Sequence, residues 1–584
     1  MNGLLIMIIA IVVLLAAYLI YGRYLARTWG IDPKAKTPAY EMEDGVDYMP
    51  ADTNVIFGHQ FASIAGAAAI NGPIQASVFG WVPVLLWILL GGVFFGAVQD
   101  FAAMYASVKN KGRTIGYIIE SYIGKTGKKL FLLFCWLFSI LVVAAFVDIV
   151  AGTFNGFQTA ADGTVTAVQA NGSVATTSML FVVEAVALGF LLHYGKCGKW
   201  LNTAITLVML VLAIALGLQF PLYIDLNTWH ILVFVYVLIA SVAPIWALLQ
   251  PRDYLNSYLL IAMIVAAVIG VFAARPEVNL PAFSGFTVNG QTLFPFLFVT
   301  IACGAVSGFH SLVSSGTASK QIKNEKSMLP VSFGAMLMES MLAVIALIAV
   351  AFFSSSAETA ALGYTTPAQI FAGGVAGFLA VMGLPQNVVF TLINLAVSAF
   401  ALTSLDSVAR VGRLSFQELF LDESIRDEDV GPVRRVLTNK YFATILTLVL
   451  AYFLTQVGYD SIWPLFGASN QLLSALAFLA CAVFLKRTKR KSFMLWIPMF
   501  TMIAVTFTAL ALTIWDLAGG IANGAYRWMA GMTVTVDGAS VLTAWGAGIQ
   551  LVFAVLILAL GVVVVIQGIR RLLEKTAPAS PLSV

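Results

Sequence analysis

Residues Phe57 to Phe79 read FGHQFASIAGAAAINGPIQASVF. The stretch is apolar enough for a bilayer, yet Gly66, Asn71, Gly72 and Pro73 oppose a single straight helix. A break there frees carbonyls and amides that lipid cannot satisfy, so it is tolerated only where they face protein, a substrate or an ion. Secondary transporters build midplane sites from such interrupted helices. The competing reading is a continuous Gly/Ala-rich helix packed closely on its neighbours, since small residues are common at membrane helix interfaces.

The rest of the chain fits the bilayer reading. Of its 584 residues 60% are hydrophobic and 10% charged, with a mean hydropathy of +0.93, the composition of a polytopic membrane protein. Cys135, Cys197, Cys303 and Cys481 stand singly with no metal-ligand spacing, so neither a disulfide framework nor a zinc site is expected. The basic residues near Leu4–Ile20 follow the apolar run instead of preceding it, which reads as a retained first helix.

Fifteen apolar runs follow in order, from 4–22, 57–79 and 81–108 through 229–248, 293–314 and 385–409 to 546–569. With the N-terminus outside and the C-terminus cytoplasmic, 30 of the 32 Lys and Arg residues fall in cytoplasmic connections, leaving only Arg275 and Arg527. The positive-inside rule supports both that orientation and the parity of the count. The segment 367–382 is too short and Gly-rich for a span and is expected to be re-entrant or interfacial. Gly112 to Lys129 is basic and amphipathic, suited to the inner surface. The loop Gly412 to Thr438 reads as a solvated charged linker.

Five spans after the one starting at Phe57 comes 229–248, with Pro244 inside it and Pro251 at its exit. An odd offset reverses direction, so two five-helix units, 57–220 and 229–411, form an inverted repeat with an interrupted first helix in each. Residues 1–56 are then a peripheral helix and linker, 412–439 a charged loop and 440–584 peripheral helices.

Several constellations are able to carry chemistry. Ser307, His310, Ser311 and Ser314 recur at helical spacing, putting three hydroxyls and an imidazole on one face. The choices there are sodium coordination, a hydrogen bond to a carboxylate, or bonding within the bundle. His59 and His310 are placed to exchange a proton, whereas His193 and His230 lie near span ends with no special role expected. Asp100, Asp148, Glu184, Glu339 and Asp406 are intramembrane acids, and such groups are usually paired or functional. Arg252, Asp253, Asp100 and Asp406 fall towards one side and suggest an inner-gate ion-pair network, or a purely structural one. Polar stripes at Asn387, Thr391, Asn394 and Ser398 and at Gly467, Asn470, Gln471 and Ser474 face the bundle. No GxxxxGK[ST], HExxH or GxSxG occurs in a plausible context, so enzymatic and ATP-driven functions are not expected.

These stretches, FGHQFASIAGAAAINGPI (57–74), GAVQDF (96–101), QPRDYLN (250–256), ACGAVSGFHSLVSSGTASKQ (302–321), LDSVARVGR (405–413) and GASNQLLSALA (467–477), resemble the carbon starvation protein A family over nearly the whole chain. Members often carry two adjacent histidines where this chain has His59 and Gln60, and an amide cannot carry a proton. The resemblance implies an inner-membrane importer of peptides or pyruvate during carbon limitation, driven by the proton gradient. It also implies kinship with LeuT-like transporters of five-plus-five inverted repeats.

The expected protein is therefore an all-α polytopic membrane protein of about 15 transmembrane helices, working as a secondary transporter with no cofactor and no metal. Its small-molecule site is expected at His59, Gln60, Gly66, Ala67, Asn71, Gly72, Ser307, His310, Ser311 and Ser314, where opened amides bind a carboxylate. Proton coupling or gating falls to Asp100, Arg252, Asp253, Glu339 and Asp406, with H+ favoured over Na+. The alternatives are a sodium-coupled carrier, a facilitator or channel, and a membrane-embedded sensor.

Overall fold

The computed structural model describes residues 2–44, 48–159, 164–194, 199–243, 248–353, 356–364, 366–420, 431–529, 531–536 and 539–574. In chain order the first helices are α1 (Gly3–Trp29), α2 (Thr53–Ile64), α3 (Ala68–Ala76), α4 (Trp81–Lys109), α5 (Lys125–Phe154), α6 (Gln169–Tyr194), α7 (Lys199–Gln219), α8 (Leu226–Val242) and α9 (Leu249–Ala274). They are followed by α10 (Leu293–Thr300), α11 (Gly308–Gly316), α12 (Glu325–Ala351), α13 (Pro367–Ala380), α14 (Gln386–Phe420), α15 (Lys440–Thr455), α16 (Tyr459–Arg487), α17 (Phe493–Ala522) and α18 (Ala544–Leu573). Among the described residues ten helices are long and apolar enough to cross a membrane, and four more are shorter and apolar. Among the described residues three short antiparallel strand pairs lie in the connections. The protein is a multi-pass, helical membrane protein.

The stretch from Phe57 is interrupted. Ala65 leaves helical geometry at the end of α2, the Gly66 N–H turns back 2.7 Å to the Ile64 carbonyl, and α3 restarts at Ala68. Two glycines here answer close approaches. A Cβ on Gly66 would lie 2.7 Å from the Ser404 hydroxyl of α14, and one on Gly72 would lie 2.7 Å from the Thr300 carbonyl oxygen that ends α10.

A second interruption falls where the sequence suggested one continuous span, 293–314. Residues 301–307 are unwound between α10 and α11, and extended Ser307 is the N-cap residue of α11. Side-chain amides take up the freed backbone groups. Gln471 donates to the Phe298 and Ile301 carbonyls, Gln99 donates to the Ser307 carbonyl, and Asn470 Oδ1 accepts the Phe309 N–H at 3.1 Å. That satisfaction by protein makes an opened helix tolerable at membrane depth.

The helix that supplies Asn470 and Gln471 is central. α16 lies inside the bundle along the whole of its apolar window, so the expectation of peripheral helices over 440–584 does not hold for it. α17 and α18 instead expose residues such as Ile497, Trp515 and Leu573, as α1 exposes Ile20. The span expected at 385–409 continues as α14 to Phe420, which makes 412–420 helix, not linker; 421–430 lie outside the described residues. The basic stretch 112–129 divides into a helix at Ile115–Tyr122, burying Ile115, Ile118 and Ile119, and the first turn of α5. Pro244, expected to break its helix, lies outside the described residues; α8 ends just before it. The carbonyls at that end are capped by Arg410 and Arg413, which donate to Ala240, Ser241 and Ala243 at 2.8–3.0 Å.

Candidate functional site

Three titratable side chains from three helices meet in the core beside the 301–307 opening. His310, in the first turn of α11, points Nδ1 at Asp100 of α4 (3.2 Å) and Nε2 at Glu339 of α12 (3.2 Å). All three side chains are fully buried. The Nδ1 contact is a hydrogen bond, while the Nε2 contact has ion-pair distance without hydrogen-bond alignment. An imidazole held between two carboxyl groups has two equivalent ways to place its protons. Either both ring nitrogens are protonated between two carboxylates, or one proton sits on an acid and the ring is neutral. Moving one proton between an acid and the ring interconverts these arrangements with no change in the total.

Cys303, in the opened segment, adds its Sγ to this group, and the ligand atoms of Cys303, His310 and Glu339 lie within 4.8 Å of one another. Chain spacing gave no hint of a metal-ligand set, and folding assembles a donor set able to hold an ion. Asp100, hydrogen-bonded to Nδ1, would orient the imidazole for that role.

The α2–α3 opening lies next to this cluster. Gln60 donates to the Ser314 hydroxyl at 2.7 Å, joining the last turn of α2 to α11. His59, one residue earlier, is half-buried, and Ala67 is the buried N-cap residue of α3. Ser311 donates to the Gly308 carbonyl at 2.6 Å, and Ser307 exchanges hydrogen bonds with Asn470, so the expected hydroxyl face is split between a cap and a helix. Near the opening, the Ser404 hydroxyl, Gln60 Oε1 and both amide atoms of Asn71 are buried with no hydrogen-bond partner among the described residues. Burying such groups without partners costs on the order of 2–7 kcal/mol each in an apolar medium, so water or a polar ligand is needed to meet them.

The expected inner-gate group is divided. Arg252 donates to Asp406 and to the Tyr236 hydroxyl, and Tyr236 in turn donates to Asp406 at 2.6 Å, joining α8, α9 and α14. Asp100 takes no part in it, being committed to His310. The Asp253 side chain lies outside the described residues. Beyond the buried region, Asp52 holds Lys323 at 2.6 Å, and that hydrogen bond keeps the Lys323 ammonium above the usual lysine range.

Sequence reasoning gave no role to Cys303 or Gln99, and it named Asp148 as an intramembrane acid without pairing it to His230, for which it expected no special role; their Nε2–Oδ1 distance is 2.8 Å. Gln99 precedes Asp100 in the quoted GAVQDF and accepts from Ser474. A glutamine in a membrane helix was the available signal.

The chain matches relatives of known kind along most of its length. It is 32% identical to the peptide transporter CstA of Escherichia coli (strain K12), over 87% of this chain and 80% of that one. It is 31% identical to the peptide transporter CstA of Bacillus subtilis (strain 168), over 85% and 87%. It is 30% identical to the pyruvate/proton symporter BtsT of Escherichia coli (strain K12), over 88% and 82%. Among solved structures, a manganese transporter of Eremococcus coleocola is 11% identical with a TM-score of 0.46, over 91% of this chain and 99% of that one, too distant to transfer a topology. The sequence pattern of carbon starvation protein CstA matches residues 2–362 and 351–509, and the chain belongs to that family.

Proposed function

We propose that the chain is a secondary active transporter that imports small carboxylate-bearing nutrients, peptides or pyruvate, by proton symport. The observation that carries this reading is the fully buried Asp100–His310–Glu339 cluster, set at the contact between two opened helices. Buried intramembrane acids around an imidazole have no structural need that apolar packing would not meet better, and they are suited to gaining and losing a proton. Relatives named as a peptide transporter and a pyruvate/proton symporter support the substrate class and the coupling ion.

In this reading the substrate carboxylate binds the opened backbone from Gly66 to Ala68 at the start of α3, flanked by His59, Gln60, Asn71 and Gly72. Ser307, Ser311 and Ser314 line the side towards the proton cluster. Gln60 and the backbone contact of Gly72 with Thr300 transmit occupancy from one opening to the other. Arg252, Asp253 and Asp406 close the inner gate, and alternating access rocks one set of helices against the other.

The membrane arrangement follows the charge distribution: N-terminus outside, C-terminus in the cytoplasm, inner membrane. Fifteen crossings result when the two opened helices and the three shorter apolar helices α7, α8 and α15 are counted with the ten long ones. α13 is then re-entrant, since its 14 residues reach about 21 Å against a hydrocarbon core of about 30 Å. Its packing supports this, with Gly374 against Ala349, Phe378 against Phe352, and an exposed end at Val381. Residues 57–220 and 229–411 are read as inverted repeats around the site.

The test is reconstitution in liposomes with labelled pyruvate and a labelled dipeptide, with and without an inward proton gradient and with sodium exchanged for potassium. Proton-driven accumulation of either substrate that His310→Ala abolishes supports the reading. Equilibration that ignores the gradient would make it a facilitator or channel, and sodium dependence would move coupling to the hydroxyls of α11.

A further inference from the structure

Beside α3 lies a cavity of about 160 Å³, bordered by Asn71, Asp148, Thr366 and Tyr459. Where one water needs about 10–15 Å³, this has room for on the order of ten. Asn71 is fully buried, lines this cavity, and neither its amide nitrogen nor its oxygen has a partner among the described residues. Asp148 brings a carboxylate to the same space. It accepts from His230 Nε2 at 2.8 Å through one oxygen and from the Tyr459 N–H at 2.7 Å through the other. His230 Nδ1 has no partner among the described residues. Two accepted bonds leave a carboxylate about two further lone-pair sites. The mechanism proposed above uses neither Asp148 nor His230.

We propose that this cavity is an ammonium subsite, in which Asp148 and the Asn71 carbonyl receive the charged amino end of a substrate whose carboxylate lies at the opening before α3. The inference rests on the transport reading for the position of the carboxylate. Its physical content is a distance match. From Ala67 to Asn71 the helix rises about 6 Å. A single α-amino acid separates its nitrogen from its carboxylate carbon by only about 2.5 Å, and each further residue adds about 3.5 Å, so a dipeptide spans about 6 Å. Pyruvate has no group for the cavity at all. An anionic carboxylate beside an unpaired amide oxygen accepts N–H donors and repels a second carboxylate, so the subsite discriminates between two substrates that share one carboxylate site. The bland alternative is that Asp148 only caps α16 by accepting the Tyr459 N–H.

The test is competition in proteoliposomes between a labelled dipeptide such as alanyl-alanine, its N-acetyl derivative, and pyruvate. The free dipeptide is expected to compete at least tenfold better than the acetylated one. Asp148→Asn, which still accepts the capping N–H, should raise the half-saturating dipeptide concentration at least tenfold and leave that for pyruvate within twofold. Asn71→Leu, which fills the cavity, should also lose the dipeptide, whereas His230→Gln, which keeps a donor to Asp148, should retain it within threefold. Equal competition by the acetylated dipeptide would overturn the proposal. So would equal losses for dipeptide and pyruvate in Asp148→Asn, or a wild type that takes pyruvate but no dipeptide, an outcome that leaves the transport reading standing. Should Asp148→Asn fail to fold, the acetylation comparison on the wild type decides. If the wild type takes up neither compound, the transport reading fails, and thermal stabilisation by the free but not the acetylated dipeptide decides the subsite separately.

Discussion

Two clusters of ionisable side chains are buried in this molecule, and their chemistry differs in one respect. Asp100, His310 and Glu339 are all groups whose charge changes with a proton, while Arg252, paired with Asp406 and Tyr236, stays charged at any accessible pH. The first cluster can exist in several protonation states without moving. The second can only hold or separate. The comparison teaches that burial of charge alone does not identify a coupling site; the types of the buried groups do.

The largest effect should come from breaking the titratable cluster. His310→Ala is expected to lower gradient-driven accumulation at least about 100-fold, the low end of what a positioned proton-transfer group contributes, while substrate exchange at zero gradient survives. Metal analysis of the purified protein sharpens the same point. No stoichiometric transition metal is expected, and one that disappears with Cys303→Ser would replace the proton reading by a metal centre at Cys303, His310 and Glu339.

Next comes the fixed-charge cluster. Arg252→Ala leaves Asp406 buried without its arginine and should cost about 3–5 kcal/mol of stability, read as a lower unfolding temperature. Arg252→Met combined with Asp406→Leu should restore most of that stability and, under the proposed gate role, still impair transport. A fully active double variant would reduce this cluster to packing.

Smaller effects test the surroundings. Gln99→Leu strands the Ser307 carbonyl at the second opening and should cost about 1–3 kcal/mol, seen in thermal unfolding. Lys323→Ala removes an exposed pair with Asp52 and should leave the unfolding temperature unchanged within error.

Much of the membrane character was legible because it depends on local composition. A break within 57–79 was legible from Gly66, Asn71, Gly72 and Pro73, but it falls at Ala65–Ala67, and Asn71, Gly72 and Pro73 lie inside α3; His310 and Glu339 were each singled out as unusual in apolar surroundings. The second opening was not legible, since Ser307, His310, Ser311 and Ser314 keep helical spacing whether or not the chain unwinds before them. What permits the unwinding is Gln99, Asn470 and Gln471, which reach the freed backbone from helices up to about two hundred residues away in sequence. Asp100 was grouped with Arg252 by estimated depth, and only packing of α4 on α11 shows that it faces His310 instead. Lateral position within a bundle is set by tertiary contacts that periodicity does not encode.

The most direct measurement of the central claim is a count of protons per substrate. Proteoliposomes holding a pH-sensitive dye, given an inward substrate gradient and no pH gradient, report proton entry alongside labelled uptake. The account predicts internal acidification in fixed ratio to substrate entry beyond any proton carried by the substrate itself, and its loss in His310→Ala. Substrate entry without accompanying protons in the wild type, or an unchanged ratio in His310→Ala, would contradict it.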